Sequence, residues 1–479
     1  MTKQNVIPGL TGNLFKEKMF SKETYMTRRA RLAKEVGDGV LLFLGNQLVG
    51  MNYHDNEYPF RQDSSFLYFF GLDQAGLAAV IDIDNGEEVV FGDELTIDDI
   101  VWTGTMPSLK ETARLVGVEK TEPLSALKKH LEGRKVRFLP PYRGDHQVWL
   151  QALLGLAPEA QAERADVAFI KAVVGMRNHK TPEEVAAIEE AVDISTRMHL
   201  ISYRMARPGV HEAEIAAAVL QEATCRPGCG LAFPTIATTH GQVLHNHGFI
   251  HTLQEGDMFL LDAGAENALH YAGDLSSSMP VGERFTEKQE LIYNLCLRSF
   301  YAAVDQLRPG NPYRNAHLVA AETIAEGMVD LGLMKGNPRD IAESGAYALV
   351  FPCGTGHMMG LDVHDMENLG EQYVGYADGM VKSKQFGFKS LRLARPLEPG
   401  FVFTVEPGIY FMPELIDYWK AEGRFKEFIN YDKFEAWKGF GGLRNEQDYL
   451  ITEDGCRVLG TLKKPMTLEE VYAAKNMSF

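Results

Sequence analysis

One stretch constrains the fold of this 479-residue chain more than any other. It is Met258-Phe259-Leu260-Leu261-Asp262-Ala263-Gly264-Ala265-Glu266, with Ala272-Gly273-Asp274 just after it. The turn pair Gly256-Asp257 precedes the apolar run, which therefore reads as a buried strand. The strand ends in one carboxylate, Asp262, and a second, Asp274, follows soon after. A hairpin through Asn267-Ala268-Leu269-His270 brings the two side by side. At an effective dielectric of about 20, two carboxylates ~4 Å apart repel by roughly 4 kcal/mol. A chain that buries such a pair neutralises it with a proton, an arginine or a metal.

Three further candidates lie downstream. His357 sits in the glycine-rich segment Cys353-Gly354-Thr355-Gly356-His357, which is expected to let backbone come close to a ligand. Glu406 follows the apolar run Phe401–Val405 and precedes Pro407-Gly408, the pattern of a buried strand that ends in a turn. Glu446 lies in Gly441-Gly442-Leu443-Arg444-Asn445-Glu446, where a period of two puts Arg444 and Glu446 on one face. Each alone reads most simply as a turn former, a cap or a structural histidine. Together, two Asp, two Glu and one His form a hard, oxygen-rich set. That set suits Mn²⁺, Fe²⁺, Co²⁺ or Zn²⁺, with two ions bridged by carboxylates. His364 and His245 belong nearby and are of the type that donates to a developing oxyanion or leaving group. His240, His247, His251 and His270 read as loop polarity.

The length suffices for two or three domains, and 45% hydrophobic with 24% charged residues is ordinary for a soluble globular protein. A net charge of -17 makes nucleic acid and anionic membrane poor partners and divalent cations good ones. No stretch is long enough to span a bilayer, and residues 1–20 lack the pattern of a signal peptide. The odd, scattered cysteines (225, 229, 296, 353 and 456) fit structural thiols in a reducing cytoplasm better than a disulfide framework.

The pattern along the chain predicts an α/β (α+β) protein of two domains, 1–177 and 178–479. In the first, a helix over Lys22–Val36 and a strand over Val40–Leu44 precede Tyr58-Pro59-Phe60-Arg61-Gln62-Asp63-Ser64. Arg61, Gln62 and Asp63 read as a polar turn that holds the domain together. The apolar run Leu67–Gly71 follows, then strands at Ala78–Ile83, Glu88–Phe91 and Val136–Leu139. Pro158 to Arg177 reads as a helical and then extended connector. Thr181-Pro182-Glu183-Glu184 is a capping box with proline at the first helical position, and it opens a long helix to Met205. The second domain repeats an order: helix, Arg207-Pro208-Gly209, helix; then helix, Arg308-Pro309-Gly310, helix. Such a repeat predicts a pseudo-symmetric sheet packed by two helix pairs, with a site between the halves.

These motifs resemble the Xaa-Pro peptidases of the pita-bread metallopeptidase fold, aminopeptidase P and prolidase. The resemblance covers nearly the whole chain. Tyr58–Ser64 is similar to the signature of the aminopeptidase P N-terminal domain. Leu261–Gly264, Ala272–Asp274, Gly356-His357, Leu361–Asp365, Thr404–Gly408 and Arg444–Glu446 are similar to the metal and substrate motifs. The resemblance implies two metal ions, Mn²⁺ foremost, held by Asp262, Asp274, His357, Glu406 and Glu446. It also implies His245 and His364 as substrate and transition-state contacts, and a homodimer or larger oligomer. Its substrates would be small peptides with proline second.

Three departures carry expectations. The Asp262–Asp274 spacing is one residue longer than in better-known members, which predicts a bulge. Asn445 replaces an apolar residue but points to the opposite face. Family members often carry a tyrosine upstream of the His245 position, where this chain reads Leu231-Ala232-Phe233-Pro234, so no tyrosyl contact to the metal site is expected. The N-terminal signature favours aminopeptidase P. The long segment Tyr410–Phe440 and Arg392, which resembles the prolidase clamp for a dipeptide carboxylate, favour a dipeptidase. An alternative of another class, a metal-free pita-bread binding protein, would lack part of the five-residue set, and this chain has all five.

Overall fold

The computed structural model describes residues 19–477, so the reading of the first residues as lacking a signal peptide lies outside them, save for Met19 and Phe20. Among the described residues no helix is long and apolar enough to cross a membrane. The chain divides into two compact units after Arg177.

In the first unit, helix α1 (Lys22–Val36) is followed by strand β1 (Val40–Leu44), helix α2 (Ser64–Phe70), β2 (Ala78–Asp82), β3 (Glu87–Phe91), β4 (Lys120–Glu122) and β5 (Val136–Phe138). The sheet order is β4-β3-β2-β1-β5, with β4 and β5 parallel to their neighbours and the other pairs antiparallel. The apolar run after the polar turn is helical: Asp63 caps α2 by accepting from Phe66 N, and every residue of α2 is buried. Gln62 holds the turn, accepting from Asn46 N and Asp63 N and donating to the carbonyls of Leu72 and Gln74. The Phe43 ring on β1 packs against Phe69, Phe70 and Phe169. The expected extended connector before Arg177 is instead a helix, Val167–Arg177, whose apolar residues are mostly buried. Its β-branched residues mimic a strand in sequence, and burial decides for the helix.

The second unit opens on helix α3 (Pro182–Met205), with the capping box between Thr181 and Glu184 formed in both directions. Helix α4 (Glu212–Thr224) packs on it. Then come β6 (Ile236–Thr238), β7 (Met258–Asp262) and β8 (Ser276–Pro280), an antiparallel sheet with β7 in the middle. The second half repeats the plan with the packed helices α5 (Glu287–Val304) and α6 (Tyr313–Asp330), then β9 (Val402–Val405), β10 (Gly408–Phe411), β11 (Gly441–Arg444) and β12 (Gln447–Ile451). The duplication extends to atoms. Gly209 and Gly310 have φ of 88° and 81°, and their N–H groups donate to the carbonyls of Leu253 and Leu397. A single antiparallel bridge follows in each half, His211 with Thr252 and Pro312 with Pro396. The segment between β10 and β11 is a folded insertion. It carries the helix Pro413–Glu422 and an aromatic cluster in which Phe411 stacks on Trp437 and meets Phe434 and Phe440.

The β7–β8 hairpin corrects one expectation. Asp262 pairs with Ser276, Ala263 N donates to Leu275 O, Glu266 bridges Ala272 and Asn267 N donates to Tyr271 O. The register is continuous, without a bulge. The extra residue is absorbed in the turn, where His270 takes a φ of 65°. His270 is not a solvated loop residue either: it is buried, 2.9 Å from Glu266.

The glycines before His357, Gly354 and Gly356, line a cavity as expected, and Gly356 has a further role. A Cβ on Gly356 would lie 2.0 Å from the Thr404 carbonyl and 2.3 Å from the Tyr313 hydroxyl. Gly356 lets the His357 segment lie against β9. Thr404 N donates to His357 O at 3.0 Å, and His357 N donates to the Thr404 hydroxyl at 3.2 Å. A Gly356→Ala variant is therefore expected to lose about 3 kcal/mol of unfolding free energy, measured by urea denaturation with far-UV circular dichroism.

Candidate active site

The ends of β7, β9 and β11 and the hairpin after β7 converge on one cavity of about 340 Å³. Asp262, Asp274, His357, Glu406 and Glu446 all line it. Arg392, His245 and His364 line it too. The structure thus brings together all eight residues singled out from the sequence. It adds His247, whose Nδ1 lies 3.1 Å from Thr235 O and whose ring is 6.4 Å from that of His245. Reading His247 as loop polarity is corrected here. Only the fold of the loop turns it toward the cavity, and its spacing of two from His245 was the one available signal.

The local geometry follows from the hairpins. Asp274, Glu446 and His357 are buried, and one ligand atom of each lies within 4.8 Å of the others. His357 Nε2 is 3.3 Å from Asp274 Oδ2 and 3.7 Å from Glu406 Oε1. Its Nδ1 is 3.0 Å from the Met358 carbonyl. A carbonyl only accepts, so Nδ1 carries the hydrogen and the neutral ring presents its Nε2 lone pair to the carboxylates, the tautomer a metal ligand requires. Ser276 joins the two halves. Its hydroxyl lies 2.7 Å from Glu446 Oε2 and accepts from Arg444 Nε at 2.8 Å, while its carbonyl accepts from Glu446 N.

Arg444 is a buried cation that the motif reading treated only as a neighbour of Glu446. Its guanidinium donates to Asp262 Oδ2 and, at 2.7 Å, to the Tyr410 hydroxyl. It offsets one carboxylate of the opening pair. The other, Asp274, has an Oδ1 without a hydrogen-bond partner, and its backbone N–H donates to Asp448 Oδ2 at 3.0 Å. Asp448 is a further buried carboxylate, absent from the sequence reading because its position in β12 marks it as an ordinary strand residue. Behind the sheet Lys464 is buried and donates to Ser276 O and the Ser277 hydroxyl. Among the described residues, Arg444 and Lys464 are the buried cations beside Asp262, Asp274, Glu406, Glu446 and Asp448, and Arg392 lines the same cavity.

This excess of negative charge appears in the proton affinities. Burial holds Asp274 and Glu446 well above the carboxylate range, reinforced by Asp262 at Asp274 and by Asp274, Glu406 and Asp262 at Glu446. Burial also pushes Glu406 up to about 7, with His357 and Arg444 pulling it back. Burial lowers His357. A buried site whose carboxyls retain protons and stand among like charges is one that divalent cations fit. The unpartnered Asp274 Oδ1 and the Nε2 lone pair of His357 supply donors for them. Cys353 lines the cavity, but burial pushes its thiol up to about 12, so it adds no thiolate to the oxygen-rich set.

Around this centre the walls differ. Phe233, Pro234, Ile236, Leu244 and Val363 make an apolar side, and Phe233 brings no hydroxyl. His364 lies with its ring 4.2 Å from that of His357, and its Nδ1 is 2.6 Å from Glu367 Oε2. Arg392 Nε lies 3.5 Å from Glu367 and 3.7 Å from Glu371, without a hydrogen bond of its own. Asn445 is fully buried near the Tyr293 hydroxyl of α5 and does not line the cavity.

Comparison with known proteins agrees with this geometry. The description "Metallopeptidase family M24" matches residues 186–453, and "Aminopeptidase P, N-terminal domain" matches residues 25–137. The human Xaa-Pro dipeptidase is 30% identical over 88% of this chain and 85% of its own. A probable Xaa-Pro aminopeptidase of Botryotinia fuckeliana is 28% identical over 89% and 90%. Among solved structures, the Pseudomonas aeruginosa aminopeptidase PepP superimposes with a TM-score of 0.79 at 26% identity, covering 96% of this chain and 98% of its own. Zn-substituted Escherichia coli aminopeptidase P in complex with product gives 0.78 at 26% identity, covering 95% and 98%. The chain belongs to metallopeptidase family M24, among the Xaa-Pro peptidases. It is a metallopeptidase with an aminopeptidase P-type N-terminal domain, and the family implies divalent metal ions.

The burial of these carboxyls predicts how stability depends on pH. A carboxyl whose folded pKa exceeds its unfolded value stabilises the fold fully below the unfolded value and loses that contribution as pH rises through the folded one. For Glu406 the window runs from 4.5 to about 7. Metal-free protein is expected to lose on the order of 3 kcal/mol across it. Mn²⁺ is expected to raise the melting temperature more at pH 8 than at pH 5, as read by differential scanning calorimetry after chelation and reloading.

Proposed function

We propose that this chain is a dinuclear-metal Xaa-Pro dipeptidase. Asp262, Asp274, His357, Glu406 and Glu446 would hold two divalent ions, and the hard set with its single imidazole favours Mn²⁺ over softer alternatives such as Zn²⁺. When bound, such ions act as Lewis acids and bring the pKa of water to about 7. The chain's own residues do the rest. Glu406, at the rim of the cluster, takes a proton from the attacking water and passes it to the leaving nitrogen. His245 and His364 contact the scissile carbonyl and the proline side of the bond. Glu367 fixes the His364 ring from its Nδ1 side and leaves Nε2 to the substrate.

The scissile bond precedes proline, whose nitrogen is a tertiary amide without an N–H. A site that recognises it must work by shape, and the wall of Phe233, Ile236, Leu244 and Val363 supports that. The observation that carries the dipeptidase reading is Arg392. Its guanidinium lines the same small cavity as the metal set, where a guanidinium fork suits a free carboxylate. The volume of about 340 Å³ lies at the small end of ligand pockets, about 300–1,000 Å³. The second reading, an aminopeptidase acting on longer peptides, is favoured by the N-terminal domain and by the aminopeptidase P structures. The unpaired cysteines support a reducing, cytoplasmic setting, and a homodimer or larger assembly is proposed from the resemblance to the family.

The test compares an Xaa-Pro dipeptide with the same peptide extended by one residue, using the Mn²⁺-loaded protein. The dipeptide is expected to be cleaved and the longer peptide not. Efficient cleavage of the longer peptide would replace this reading with the aminopeptidase. Arg392→Gln is expected to raise KM for the dipeptide at least about tenfold, roughly the 1.4 kcal/mol of one charged hydrogen bond, with kcat changed less. An unchanged KM would remove Arg392 from substrate binding.

A further inference from the structure

A second constellation of metal-binding side chains lies at the neck of the loop that carries His245 and His247. Glu212, in the first turn of α4, has a fully buried side chain. Its Oε1 accepts from Thr239 N at 2.8 Å and from the Thr239 hydroxyl at 3.1 Å. Its Oε2 accepts from His251 N at 3.1 Å and lies 3.1 Å from His251 Nδ1. One carboxylate therefore clasps both ends of the segment 239–251. The ring of His240 stacks on that of His251, with centroids 4.2 Å apart and planes 27° apart. One ligand atom from each of Glu212, His240 and His251 lies within 4.8 Å of the others. None of the three lines the cavity of the active site.

We infer that Glu212, His240 and His251 form a binding site for one borderline divalent cation, Zn²⁺ by ligand chemistry, that closes the neck of the His245–His247 loop. Two imidazoles and one carboxylate, with a water in the fourth position, are a familiar ligand set for that ion. Bond lengths of about 2.0–2.1 Å require ligand atoms roughly 3.3 Å apart in a tetrahedral site. The Glu212–His251 pair already meets this. The side chain that must move in is that of His240, which is exposed. The ion takes the place of the hydrogen between His251 Nδ1 and Glu212 Oε2, and the neutral His251 ring carries its hydrogen on Nε2 instead. The hydrogen bonds from Thr239 stay on the other carboxylate oxygen. Occupancy would tie residues 240 and 251 together from outside the fold and restrain the segment that places His245 and His247 at the cavity.

The test uses the full chain with its catalytic centre filled with Mn²⁺, dialysed against Zn²⁺. Metal per chain is measured by elemental analysis, and backbone hydrogen exchange over residues 239–251 by mass spectrometry. Wild type is expected to hold one Zn²⁺ per chain more than His240→Gln or His251→Gln, and to slow exchange in this segment when Zn²⁺ is added. Both effects should vanish in His240→Gln. Equal Zn²⁺ content in wild type and His240→Gln, with the same exchange pattern, would overturn the site. His251→Gln also removes a contact to Glu212 and could weaken the fold, whereas the exposed His240 lets the first variant decide alone. Neither readout depends on turnover, so failure here and failure of the dipeptidase reading are distinguishable.

Discussion

The catalytic half of this molecule is organised around an unbalanced charge. Asp262, Asp274, Glu406 and Glu446 gather where the strands of two half-domains end, with Asp448 beside them, and among the described residues Arg444 and Lys464 are the buried cations that oppose them. Gathering like charges away from water costs several kcal/mol per uncompensated ion. The fold tolerates this because each carboxylate sits on a rigid hairpin or strand end. The arrangement leaves a deficit of positive charge that protons or divalent cations can fill.

The duplicated architecture explains how the cluster is assembled. Each half offers a helix pair, an Arg-Pro-Gly turn and a short antiparallel sheet, and each half alone holds only part of the set. Ser276 and Ser278 stitch the halves together through Arg444 and Glu446. The arginine therefore has two tasks, neutralising Asp262 and holding β11 against β8. The substrate side is built from less regular parts. His245 and His247 sit on a loop whose ends Glu212 clasps, and His364 is steadied by Glu367. The carboxylates and His357 stand at strand ends and hairpins, whereas His245, His247 and His364 are carried on loops, a common division in enzymes that must bind, act and release.

Much of this was legible in the sequence because the relevant signals are local. The capping box at Thr181, the apolar run to Asp262 and the two Arg-Pro-Gly turns report short-range geometry, and the structure follows each of them. The misreadings have physical causes. Val167–Arg177 carries strand-forming residues yet becomes a helix through burial. Gly356, besides lining the cavity, makes a close approach to Thr404 that no sequence pattern distinguishes. The longer Asp262–Asp274 spacing was absorbed by the positive φ of His270 rather than by a bulge.

The sequence by itself determined which side chains carry carboxylate and imidazole donors and where along the chain they stand, because residue type and spacing are covalent facts. It also determined that the chain has two similar halves. Only the tertiary structure decided which charges face each other. That Arg444 takes Asp262, that Asp448 backs Asp274, that His357 turns Nε2 inward and that His240 meets His251 over Glu212 all depend on contacts between distant segments. Electrostatic energies vary with distance and burial, and those two quantities exist only once the chain has folded.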